Sequence, residues 1–115
     1  MTDKIKTGRT GEDWAAEFLE AKGYEIVFRN FRHRWSEIDL IAIHRNTLVF
    51  IEVKTRRNSD FGEPEQFVSK RQAQKIREGA EAYMNRMNWN GNIRFDIVAI
   101  KTETNELVHF EDAIQ

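Results

Sequence analysis

The chain has 115 residues, 32% charged and 40% hydrophobic, with a formal net charge of −1. That length supports one core rather than two, and the balance excludes both a disordered chain and a strongly basic, histone-like binder. The absence of cysteine excludes disulfides, thiolate zinc sites and cysteine nucleophiles.

The start, "MTDKIKTGRTGEDW", lacks the apolar middle of a signal peptide, and no apolar run reaches the roughly 20 residues of a membrane span. A single domain over residues 1–115, cytoplasmic and without a membrane partner, is expected. Residues 8–22 are predicted helical, because Trp14, Ala15, Phe18 and Leu19 fall on one face, and Gly23 supplies the stop. Glu12, in the first turn, borders that buried stripe. "YEIVFRNF" (24–31) reads as a strand in which Tyr24, Ile26 and Phe28 alternate against Glu25 and Arg29. Further strands are expected over 37–43 and 48–54, broken by residues 44–47. A loop over 57–68 carries the sole proline. Ser69 then opens a second helix over 69–87, with Ser69 and Gln72 as a capping box and Ala73, Ile76, Ala80, Tyr83, Met84 and Met87 as its apolar stripe. "NIRFDIVAI" (92–100) is a strand, and "ELVHFED" (106–112) returns beside it after "TETN". The order α-β-β-β-α-β-β, with a parallel crossover from Val49 through the second helix to Val98, predicts an α/β fold: a mixed β-sheet with flanking helices.

Within "EIDLIAIHRNTLVFIEVK" (37–54), Asp39, Glu52 and Lys54 stand among strand-forming apolar residues. If Arg45 and Asn46 are the two turn residues, Asp39 faces Glu52 across the hairpin and Glu37 faces Lys54. Ile41, Ile43, Leu48 and Phe50 share that face; Ile38, Leu40, Val49, Ile51 and Val53 take the other. Opposed Cβ atoms lie ~4.5–5.5 Å apart. Two bare carboxylates at that spacing repel by roughly 3 kcal/mol at an effective dielectric of ~20. A proton, the Lys54 ammonium or a cation between them would relieve the repulsion. An all-oxygen donor set selects a hard ion such as Mg²⁺, and such an ion beside a lysine is equipped for phosphodiester hydrolysis. The plainer alternative is a structural ion pair of Lys54 with Glu52 or Glu37.

Positive charge gathers in "RNFRHR" (29–34), "KTRR" (54–57) and "SKRQAQKIR" (69–77). Arg32, Arg34, Arg56, Arg57, Lys70 and Arg71 fall at strand ends and the second helix's start, which suits phosphate contacts as well as ordinary solvated charge. Phe61 and Trp35 are candidates for stacking on bases. Asp96 is read as a structural partner of Arg94, and the three histidines share no ligand spacing.

The combination "ID…EVK" resembles the D…(D/E)xK signature of the restriction-endonuclease-like PD-(D/E)XK superfamily. The blocks "GRTGEDWAAEFLEAKGYEIVFRNFR", "SEIDLIA", "LVFIEVKTRR", "FGEPEQFVSKRQ" and "RFDIVAI" resemble, from Gly8 to Ala113, the YraN-type bacterial family, which is similar to Holliday-junction resolvases. The resemblance implies a restriction-endonuclease-like fold and a nuclease acting on branched or structured DNA with Mg²⁺ or Mn²⁺. It implies that Asp39 and Glu52 bind the metal, with the Val53 carbonyl as a further ligand. Glu12 joins directly or through water, and Lys54 positions or activates the attacking water. Ser36 stands where the family usually has glycine, and Gln72 where it commonly has lysine. DNA is the expected partner, with a homodimer required for symmetric junction cleavage, its contact drawn from apolar residues near 106–112. A non-catalytic nucleic-acid-binding or partner-recruiting domain that retains the fold is the alternative.

Overall fold

The computed structural model describes residues 10–57 and 67–114. Its elements are α1 (Gly11–Ala21), β1 (Glu25–His33), β2 (Ser36–His44), β3 (Thr47–Arg56), α2 (Lys70–Met87), β4 (Asn92–Lys101) and β5 (Glu106–Phe110). The five strands form one sheet in sequence order, antiparallel except for the parallel β3–β4 pair. This is the mixed α/β order expected. Most of the 57–68 loop, Phe61 included, lies outside the described residues. Its last two residues, Phe67 and Val68, are buried in the core beside α2 rather than looped out. No helix among the described residues is long and apolar enough to cross a membrane.

Each helix covers one face of the sheet. α1 starts after Thr10, whose hydroxyl accepts from the Asp13 amide while the Asp13 carboxylate accepts from the Thr10 amide. It ends before Gly23, which takes the left-handed region at φ 94°. Ala15, Ala16 and Leu19 pack with Tyr24, Leu40, Ala42, Val49, Ile51, Val98 and Ile100. α2, capped by Ser69 and Gln72 as expected, sets Ala73, Ile76, Ala80 and Tyr83 against Phe31, Ile41, Leu48, Phe50, Ile97 and Ala99 on the opposite face. β2 and β3 are thus buried on both sides, which is why they read as nearly continuous apolar runs. The stripe of α2 stops short of its end: Met87 is 56% exposed and belongs to no core. Gly79 is buried instead. A Cβ there would sit 3.2 Å from both Ser36 Cβ and Ile38 Cδ1, so the helix lies close against β2 at this point.

The β2–β3 turn places Arg45 (φ 50°) and Asn46 (φ 63°) in the left-handed region, the backbone of a type I′ hairpin, despite lacking the usual Asn-Gly. β1 departs from simple alternation. Its register with β2 shifts between Ile26 and Phe28, so Phe28 swings to the α2 side, where its ring meets the edges of Phe31 and Tyr83 and stays 41% exposed.

A buried polar network closes the sheet's other end. Asp96, fully buried on β4, accepts from Arg94 Nε and Nη2 at 2.9 and 2.8 Å, from His109 Nε2 at 2.8 Å and from the Asp112 amide at 2.9 Å. Lys22 Nζ reaches His109 Nδ1 at 2.9 Å, which places the ring proton on Nε2, toward Asp96. Arg94 also donates to the Tyr24 hydroxyl. The structural pairing of Asp96 with Arg94 is therefore present, and it is larger than a pair. Burial works against ionisation of Asp96, but hydrogen bonds from His109, Arg94 and the Asp112 amide outweigh it and hold the carboxyl below its ordinary value. A depressed folded pKa gives stability that is complete above the unfolded value near 4 and is lost as pH falls through the folded one. Asp96→Ala should cost about 3 kcal/mol at pH 7, since it strands Arg94 and His109, and that deficit should shrink below pH 4 in urea titrations; an unchanged midpoint at pH 7 would contradict this role.

Candidate active site

The β2–β3 ladder runs from His44–Thr47 to Leu40–Ile51, and the same register continued sets Asp39 opposite Glu52. There the ladder gives way. The Val53 amide donates to Asp39 Oδ2 at 2.7 Å, so a side chain occupies the place of a main-chain acceptor. The Val53 carbonyl leaves the strand on the same side as its amide, toward this opening.

The opposite flank of β2 shows why Asp39 can do this. The β1–β2 ladder contains Arg29–Leu40 and Phe31–Ile38, but not the intervening pair, and Asn30 stands there with φ 55°. Beyond that level both strands change face. Ile38, expected with Leu40 on the α1 side, packs with Phe31 in the α2-side core. A left-handed residue within β1 breaks the two-residue period, and Asp39 sits at the break. On the far side, Gly11 lets α1 approach β3: a Cβ there would lie 2.7 Å from Thr55 Oγ1. This contact brings Glu12 near enough for its charge to act on Asp39.

Glu52 and Lys54 are 13% and 17% exposed, with Lys54 Nζ 3.4 Å from Glu52 Oε2. Burial raises the Asp39 pKa, and the charges of Glu12 and Glu37 add to it, against hydrogen bonds from the Val53 amide and Glu52. Glu52 is pushed up to about 7, first by burial and then by the Asp39 charge, with Lys54 opposing. Both carboxyls are thus shifted toward the protonated form, and a proton retained near neutrality in the absence of an ion belongs to the pair. Both acids open into a cavity of about 300 Å³ whose other walls are Trp35 and Glu37 from the β1–β2 hairpin and Gln72, Lys75 and Ile76 from α2.

The structure gathers Asp39, Glu52 and Lys54 as expected. Glu12 stands off, with Arg29 Nη2 at 3.6 Å from its carboxylate and 2.6 Å from that of Asp13. Among the described residues, no group of three or more His, Cys, Asp or Glu side chains is close enough to hold an ion. Of the basic residues, Arg32 is exposed and 3.5 Å from Glu37, Arg56 lies over the Phe67 ring at 5.6 Å, and Arg57, Lys70 and Arg71 are exposed. Arg34 lines a neighbouring cavity. Lys75, which the sequence reading passed over, lines the acidic one; its spacing from Gln72 and Ile76 on one helix face is the signal that could have found it.

A folded-state pKa of about 7 for Glu52, against about 4.5 unfolded, means that the folded chain binds more protons between those values. Stability then falls as pH rises through that window. In chelator, the wild type should lose on the order of 2–3 kcal/mol between pH 4.5 and 8 and Glu52→Gln clearly less, as read from urea midpoints; parallel curves would refute the shared proton. Asn30→Gly should keep the fold, whereas Asn30→Val should cost about 1–2 kcal/mol, because a β-branched residue resists positive φ.

The family model described as "Uncharacterised protein family UPF0102" matches residues 11–100. A UPF0102 protein of Cytophaga hutchinsonii is 50% identical over 88% of this chain and 89% of its own. Another, from Flavobacterium psychrophilum, is 41% identical over 98% of this chain and 97% of its own, and one from Sulfurihydrogenibium sp. is 38% identical over 96% of each. Since the match takes in both helices and the whole acid-bearing hairpin, the chain belongs to the UPF0102 family, of the YraN type.

Proposed function

We propose that the protein binds branched or structured DNA and hydrolyses phosphodiester bonds with Mg²⁺ or Mn²⁺ at Asp39 and Glu52. The observation that carries this reading is the facing carboxylate pair, largely withdrawn from water, short of donors and open to a cavity. The donor set fits a hard cation: Mg²⁺ takes one or two carboxylates and fills its remaining positions with water and substrate phosphate, so it does not need the cluster of three close ligands that is absent among the described residues. Asp39, Glu52 and the Val53 carbonyl would hold it, with Glu12 contributing from α1 through water. When bound, the ion supplies a water of lowered pKa and neutralises charge developing on the phosphate.

The chain's own side chains supply the rest. Lys54, held near Glu52, would stabilise an attacking oxygen or the charge building on the phosphorus centre. Lys75 and Gln72, on the α2 wall, are placed to meet non-bridging phosphate oxygens. Arg32, Arg34, Arg56, Arg57, Lys70 and Arg71 would contact the flanking backbone, giving affinity that weakens steeply with salt and reads few bases. Symmetric cleavage of a junction needs two sites and hence a homodimer, for which the edge strand β5 is available.

A second reading, a nucleic-acid-binding domain without catalysis, is favoured by one observation: the Glu12 carboxylate is already paired with Arg29, at 3.6 Å. A panel of duplex, single-stranded, flap and four-way DNA separates the two. We expect cleavage that requires Mg²⁺ or Mn²⁺ and drops by about 10²-fold or more in Asp39→Asn and in Glu52→Gln, each still folded. Retention without cleavage would favour the second reading, and cleavage undiminished in Asp39→Asn would remove the site altogether. Arg56→Glu with Arg57→Glu should weaken DNA retention at low salt and flatten its salt dependence.

A further inference from the structure

The acidic cavity has a neighbour. A second cavity of about 560 Å³ lies between the β1–β2 turn and α2, lined by Arg34, Glu78, Glu81, Asn85 and Arg86, among others. Trp35 lines both cavities and is 86% exposed, whereas the other described large apolar side chains are mostly packed. The turn that presents it is tight. His33 pairs with Ser36, and Arg34 sits between them at φ 57°, a backbone region where glycine is the usual choice. The two-residue turn leaves Trp35 at the tip of the hairpin, where its indole is held out from the sheet and exposed.

The lining is mixed in a particular way. Glu78 and Glu81 repel phosphate but accept hydrogen bonds, and the Asn85 amide can both donate and accept. Those groups suit the polar edge of a nucleobase, with its ring and exocyclic amines. Arg34 and Arg86 supply positive charge for the backbone that must lie close to such a base. An exposed indole offers the stacking face.

Resting on the proposed function, we infer that Trp35 stacks on an unpaired nucleobase, which enters the second cavity while the adjoining phosphate reaches Asp39 and Glu52. The preferred substrate class is accordingly nucleic acid with at least one base outside a duplex: a bulge, a flap, a single strand or an opened branch point. Fully paired duplex offers no base for this position, and the protein would hold it through phosphate contacts alone.

The test is fluorescence anisotropy in chelator with the full chain and three labelled DNAs: a perfect duplex, the same duplex with one bulged base, and a single strand. The wild type should bind the bulged and single-stranded forms more tightly than the duplex. Trp35→Ala should lose about tenfold to a hundredfold on those two and little on the duplex, while Trp35→Tyr should recover most of the loss. Because the side chain is exposed, the substitution leaves the core intact, and circular dichroism checks this. Equal binding of all three DNAs by the wild type, or Trp35→Ala indistinguishable from it, would overturn the inference and leave the nuclease reading standing if the duplex is still retained through Arg56 and Arg57. Failure of the wild type to retain any of the three would overturn both.

Discussion

The structure turns on two carboxylates forced together out of water. With both ionised, their repulsion of roughly 3 kcal/mol would be a sizeable part of the 5–15 kcal/mol that ordinarily holds a domain together, and a shared proton or a cation relieves it. Several local features exist to bring about that arrangement rather than to avoid it: the type I′ turn at Arg45–Asn46 sets the register, Asn30 breaks the neighbouring strand, and the Val53 amide turns Asp39 toward β3. Gly11 then admits the acidic first turn of α1 to the same end of the sheet.

The other buried carboxylate makes the contrast plain. Asp96 is fully buried, yet it receives hydrogen bonds from Arg94, His109 and the Asp112 amide and ionises more readily than a free aspartate. Asp39 and Glu52 receive far less help, and both are shifted the opposite way. One sheet thus carries a fully bonded acid that fastens the strands and a pair with fewer donors, open to a cavity. Burial alone does not distinguish these roles; the supply of donors does.

Much of this was legible in the sequence. The two apolar runs and the short break between them specify a hairpin, and the register that opposes Asp39 to Glu52 follows from a two-residue turn. The helices announced themselves through their periodic stripes and, for α2, through Ser69 and Gln72. What escaped were single-residue backbone events. Nothing in the alternation of "YEIVFRNF" signals a register shift after Ile26 or a left-handed Asn30, so the faces of Phe28 and Ile38 came out reversed. Met87 continues the stripe in sequence but is exposed rather than packed. The Asp96 network joins Lys22, Arg94 and His109 across most of the chain, and local pattern carries no trace of such a meeting.

The parallel pairing of β3 with β4 has a consequence for how the chain acquires its charge arrangement over time. The β2–β3 hairpin closes from adjacent segments and can form within microseconds, whereas Thr47 meets Asn92 only after α2 has crossed the sheet. During synthesis the hairpin also emerges first. In that order of assembly the two acids would meet while solvent still screens them and be dehydrated only when the later half of the chain docks. Order of assembly lets the protein postpone its least favourable electrostatic step until the rest of the core is there to sustain it.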